Sequence, residues 1–213
     1  MNRTRIKICG LTRKEDIRAA VLSGADALGF VFYPDSPRYV EPEQARGLMD
    51  EIPPFITTVG LFVNADPKRV TEVMRLTSLS LLQFHGEEDE AYCRQFGMPY
   101  IKAARVRPEL DLLKFAASFP SSRGLLLDAY VDGYGGGGQA FDWCLVPQPF
   151  PTSMILSGGL HAANVGGAVR QLRPWAVDVS SGVEAAKGIK DAGKIQAFVA
   201  AVREADASNR IGD

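Results

Sequence analysis

Cysteine and histidine are scarce in this chain: three cysteines and two histidines in 213 residues. Cys9, Cys93 and Cys144 form no Cys-x-x-Cys pair, and no His/Cys metal spacing is present. A zinc framework and a disulfide scaffold are therefore not expected, and neither is a metal site. No run reaches the roughly 18 apolar residues of a membrane span. Residues 1–7 are polar and basic and turn directly into a short apolar stretch, so the long apolar segment of a secretory leader is missing. With an odd cysteine count, this reads as a protein of a reducing, cytoplasmic compartment with no membrane partner. Blocks of like charge are missing too: 24 Lys+Arg against 25 Asp+Glu give a formal net charge of −1. A nucleic-acid partner is not expected from that balance.

What the sequence has is alternation. Short β-rich apolar runs recur at residues 6–9, 27–32, 57–63, 79–84, 100–104, 124–127, 154–156 and 176–179. Amphipathic helical patterns lie between them. Thr12 with Glu15 three places on reads as a capping box for the first helix. Asp66 followed by Pro67 reads as the cap and first residue of another. Eight β-then-α units in series imply a parallel sheet with right-handed crossovers that closes into a (β/α)₈ barrel. An open doubly wound sheet is the competing architecture, but no dinucleotide fingerprint follows the first strand. The length suits one well-buried core and not two comfortable domains. The barrel is expected over residues 1–205, with residues 206–213 as a frayed tail.

In such a barrel the active site lies at the C-terminal ends of the strands. Strand seven ends in Ser157-Gly158-Gly159 and strand eight runs into Ser181-Gly182. These are the loops where this fold usually binds phosphate, because glycine lets backbone N–H groups approach an anion. Ser181 and Glu184 read as a capping box that opens a short extra helix there. Cys9 ends strand one; it is open to two readings, a buried packing residue or a base. Asp128 ends the apolar run 125–127, where an aspartate needs a partner or a task. It lies roughly across the mouth from Cys9, so the two suit a proton-transfer isomerisation of a small phosphorylated sugar derivative. Arg38, in the loop after strand two, has the rigid fork that suits a carboxylate. His85, ending strand four, is either a polar pocket wall or a structural histidine. The glycine run 135–138 reads as a hinge or as a mobile loop over the substrate. Cys93 and Cys144 read as packing residues.

The motifs Lys7-Ile8-Cys9-Gly10-Leu11-Thr12, Ser36-Pro37-Arg38, Gln83-Phe84-His85-Gly86, Leu127-Asp128, Phe141-Asp142-Trp143, Ser157-Gly158-Gly159-Leu160 and Asp178-Val179-Ser180-Ser181-Gly182-Val183-Glu184 come in an order and spacing that closely resembles the phosphoribosylanthranilate isomerases of tryptophan biosynthesis. The resemblance runs from about residue 5 to about residue 205. It implies a (β/α)₈ barrel and an Amadori rearrangement of N-(5-phosphoribosyl)anthranilate to the aminodeoxyribulose phosphate. It also implies Asp128 as general acid, Cys9 as general base and Arg38 on the anthranilate carboxylate. Gly158, Gly159, Ser181 and Gly182 would hold the phosphate, and Asp178 and His85 would line the pocket. No cofactor is implied. In one place the chain departs from the pattern. The family often reads Gly-Gly-Thr-Gly before Phe-Asp-Trp, and here the threonine position is Gly137. One hydroxyl contact is lost, and a more mobile loop with weaker substrate retention is expected.

Other phosphosugar barrels fit less well. An epimerase would want metal ligands at strand ends, and an indole-forming synthase would want lysine and glutamate there. A histidine-pathway isomerase would want aspartate in place of Cys9. A phosphate-ligand sensor on the same scaffold would have no use for an acid–base pair. Monomer and homodimer both remain open from the sequence.

Overall fold

The structure is a computed structural model that describes residues 3–129 and 140–211. Eight parallel strands form a closed barrel in sequential order. They are β1 (Arg5–Cys9), β2 (Ala27–Val31), β3 (Thr57–Phe62), β4 (Leu81–Phe84), β5 (Tyr100–Val106), β6 (Leu125–Ala129), β7 (Met154–Leu156) and β8 (Ala176–Val179). The barrel closes where β1 pairs with β8, with Lys7 opposite Asp178. An outer ring is made of α1 (Lys14–Ser23), α2 (Pro42–Met49), α3 (Pro67–Leu76), α4 (Glu90–Arg94), α5 (Leu112–Ala117), α6 (Ala162–Leu172) and α7 (Ala192–Ile211). Between β6 and β7 the described residues hold only a 3-10 turn, Trp143–Leu145, in place of a helix. The glycine run 135–138, with Gly137, lies outside the described residues.

Strand alternation sorts the side chains into two cores. Residues such as Ile6, Ile8, Phe62, Phe84, Leu125 and Leu127 pack between strands and helices. Ile101, Ala103, Leu126, Ile155 and Ala176 form a smaller cluster of their own. Above it, toward the strand ends, side chains two residues along the same strands become polar, and this is where the site is built.

Three local expectations are corrected. Thr12 does not cap α1: its hydroxyl donates to the Gly188 carbonyl at 2.6 Å, and Arg13 stands at the cap. The loop after β8 won the hydroxyl that the helix end would have used. Ser181 and Glu184 form no capping box either. Residues Ser181–Val183 make a 3-10 turn without a side-chain cap, because Glu184 is engaged by two cations. Glu184–Ala186 (β9) then pairs antiparallel with Ile189–Lys190 (β10), a small hairpin the sequence pattern did not announce. Finally, residues 206–211, expected in a frayed tail, are helical. Helix α7 continues to Ile211, and the Asp206 carboxylate accepts from the Thr4 backbone N–H at 2.9 Å and the Thr4 hydroxyl at 2.7 Å. Elsewhere the cap at Asp66 is as expected, its carboxylate accepting from the Lys68 N–H at 2.8 Å.

Candidate active site

One pocket at the strand ends is lined by Cys9, Arg38, Gln83, His85, Asp128, Gly158, Gly159, Asp178 and Ser181, among others. It brings together every expected site residue but Gly182. That glycine stands behind the wall, where a Cβ would come within 1.9 Å of the Leu160 carbonyl oxygen. It therefore lets the loops after β7 and β8 touch. Gly158 and Gly159 both have positive φ, +80° and +61°, in the left-handed region that favours glycine. A Cβ on Gly158 would lie 2.5 Å from the Ala129 nitrogen and 3.0 Å from Asp128 Oδ1. The first phosphate-loop glycine is thus fitted against the expected acid.

Cys9 is buried at the end of β1. Its neighbour on the same strand face is Lys7, two residues earlier, whose ammonium donates to Asp178 Oδ1 at 2.8 Å. Both members of this ion pair are buried. Burial works against the Lys7 charge, but Asp178 and Cys9 outweigh it and hold Lys7 above its ordinary value. For Cys9, burial pushes the thiol up and Asp178 adds to this. Lys7, the largest opposing influence, and Lys190 pull it down, and the balance is upward. The resting side chain is a thiol poised beside a cation. Gly29 on β2 makes room for it: a Cβ there would lie 2.8 Å from Cys9 Sγ.

On the neighbouring wall, Arg38 does not present a free fork. Its Nε and Nη2 donate to the two oxygens of Glu184 at 2.7 and 2.9 Å. The buried Lys190 ammonium donates to the same carboxylate at 2.9 Å. Burial would push Glu184 up, but Arg38 and Lys190 outweigh that and hold it below the usual carboxylate range. Burial lowers Lys190, and Glu184 offsets only part of that. Two cations share one carboxylate, so this side of the pocket is positive.

Across the mouth, on β6, Asp128 Oδ2 lies 3.0 Å from His85 Nε2, and Asp128 Oδ1 accepts from the Ala129 N–H at 2.9 Å. His85 Nδ1 in turn faces the Gln83 amide nitrogen at 3.1 Å. Outside the pocket, Cys93 is buried and pushed up to about 12, as suits a packing residue. Cys144 is exposed beside Asp142 and not packed. Among the described residues no group of three or more His, Cys, Asp or Glu side chains could hold a metal. No described helix is long and apolar enough to cross a membrane.

The reading of strand ends missed Lys7, Gln83, Glu184 and Lys190. For Lys7 and Gln83 the signal was present: each sits two residues before an expected site residue on the same strand, hence on the same face. Glu184 and Lys190 gave no such signal, because their meeting depends on the β9–β10 hairpin.

These features can move protons on two sides of a small anionic ligand. Comparison with known proteins identifies the family. The family model for N-(5'phosphoribosyl)anthranilate isomerase matches residues 6–201. The N-(5'-phosphoribosyl)anthranilate isomerase of Dechloromonas aromatica is 65% identical over 206 residues, covering 97% of this chain and 99% of that protein. That of Nitrosospira multiformis is 57% identical, covering 93% and 96%. The crystal structure of phosphoribosyl anthranilate isomerase from Thermotoga maritima superposes with a TM-score of 0.87 at 44% identity, over 94% of this chain and 99% of that one. A crystal structure of a phosphoribosyl anthranilate isomerase in complex with reduced 1-(o-carboxyphenylamino)-1-deoxyribulose 5-phosphate gives 0.84 at 42% identity, with the same coverage. The chain therefore belongs to the N-(5'-phosphoribosyl)anthranilate isomerase family of tryptophan biosynthesis.

Proposed function

We propose that the isomerase reaction of this chain runs between Cys9 and Asp128. The observation that carries this reading is their common pocket. Cys9 ends β1 and Asp128 ends β6, three strands apart around the ring, with the phosphate-type loops of β7 and β8 between them. A phosphate held at Gly158, Gly159 and Ser181 fixes one end of the substrate. Gly182 contributes by keeping the two loops in contact. The positive side formed by Arg38, Glu184 and Lys190 suits the anthranilate carboxylate. Glu184 holds the Nε–Nη2 edge of Arg38, which leaves Nη1 to face the ligand.

Asp128 protonates the ribose ring oxygen, and the C1–O bond breaks to give a Schiff base. Cys9, as thiolate beside Lys7, then removes the C2 proton and leaves an enolamine. Its hydroxyl proton passes to C1 as the ketone forms. The acid has lost one proton and the base has gained one, so exchange with solvent resets both. Lys7 opposes the effect of burial on the thiol: its ammonium favours the thiolate, and Asp178 holds the ammonium in place. A reducing compartment keeps that thiol available.

Purified protein mixed with freshly generated phosphoribosylanthranilate should quench the anthranilate fluorescence. Cys9→Ala and Asp128→Asn should each lower kcat by at least ~10²-fold, the scale of a general acid or base. Turnover that survives either change in a folded protein would remove that residue from the role given to it.

A further inference from the structure

Gln83 is fully buried, lines the pocket, and stands two residues before His85 on β4, on the same strand face. Its amide nitrogen can only donate, so at 3.1 Å it meets a lone pair on His85 Nδ1. The neutral ring then carries its proton on Nε2 and donates it to Asp128 Oδ2 at 3.0 Å. Asp128 Oδ1 receives the Ala129 N–H. Each carboxylate oxygen thus faces a donor. The Gln83 carbonyl oxygen, meanwhile, is buried with no hydrogen-bond partner among the described residues.

A carboxyl oxygen has two lone-pair sites, so the acid form carries its proton toward the ligand while Nε2–H still donates to Oδ2. That arrangement needs His85 to keep one tautomer in both states, and the buried Gln83 amide N–H selects it. Turning the Gln83 amide about its last bond would put the carbonyl oxygen on Nδ1, move the ring proton there and take the donor away from Asp128. We infer that Gln83 is a positioning residue that holds His85 as the Nε2–H tautomer, so that Asp128 Oδ2 keeps its donor while the carboxyl group gives up its proton. This rests on Asp128 being the acid.

The test reads the His85 tautomer by ¹⁵N NMR, without substrate. The chain has two histidines, so the signal lost in His85→Asn is that of His85. The ligand-free protein should show an Nε2–H ring. Gln83→Glu, which can only accept, should convert it to Nδ1–H. Gln83→Met, which can do neither, should give a mixture. Both variants should lower kcat by about 10- to 100-fold, part of what a general acid supplies, with KM within about threefold. An Nδ1–H ring in the ligand-free wild type overturns the inference, as does an unchanged tautomer or kcat in both variants. Should the variants fail to fold, the wild-type spectrum decides: Nε2–H supports the inference and Nδ1–H overturns it. Absence of wild-type turnover would strike at the isomerase reading and leave the spectrum to judge Gln83.

Discussion

At the scale of single residues, the working unit of this pocket is a pair two positions apart on one strand. Lys7 stands behind Cys9, and Gln83 behind His85. In each case the outer residue lines the pocket and the inner one is the polar group beside it on the same strand face. For Cys9 the signs can be worked out. Asp178 pushes the thiol up and Lys7 pulls it down. Asp178→Asn should therefore lower the pH at which Cys9 ionises, and Lys7→Met should raise it. The rate of alkylation by iodoacetamide measures this at fixed pH, in a Cys144→Ser background that removes the exposed thiol. A shift of one unit is about tenfold in thiolate and hence in rate. Equal rates in the two variants would mean that the pair does not act on Cys9. Both changes leave a buried charge without its partner and should cost about 3–5 kcal/mol in stability, so thermal melts must accompany the kinetics.

At the scale of elements, the sequence pattern located strands and their ends well, because burial on both faces leaves a near-continuous apolar run. The runs 154–156 and 176–179 match β7 and β8 residue for residue. Helix ends were harder to read, because capping side chains had other partners within reach. Thr12 went to Gly188 and Glu184 went to Arg38 and Lys190, both contacts that only the folded barrel creates. The end of α7 is the third case: Asp206 is held by Thr4, 202 residues away in sequence. That contact makes the last turns of α7 part of the barrel floor. Asp206→Ala should remove the acceptor of a buried N–H and a buried hydroxyl and cost about 1–3 kcal/mol. Melting should fall by ~2–4 °C for each kcal/mol in a chain of this size. Deleting residues 206–213 should do at least as much, and an unchanged melting temperature would show that the tail is dispensable.

At the scale of the molecule, an overall charge of −1 conceals a local surplus. Around the pocket, Lys7 balances Asp178, while Arg38 and Lys190 together face only Glu184. One positive charge is left on that wall, across the pocket from Asp128, for a substrate that carries a phosphate and a carboxylate. Raising ionic strength from about 0.01 to about 0.15 M shrinks the screening length from ~30 to ~8 Å, so kcat/KM should fall, chiefly through KM. A salt-independent kcat/KM would place the attraction in hydrogen bonds alone. This surplus could not be read from composition, because it arises from which charges the barrel brings together.

The Lys7–Asp178 bond crosses the seam where the first strand meets the last. It joins residues 171 apart in the chain, so the cation beside Cys9 is held in place only when the ring is complete. A growing chain that has made β1 but not β8 has neither the held cation nor the loop after β8, so the pocket waits for the last strand to be synthesised. Its walls are thereby withheld from every truncated or half-assembled product, and the appearance of the Lys7–Asp178 bond becomes a clock for the moment of closure.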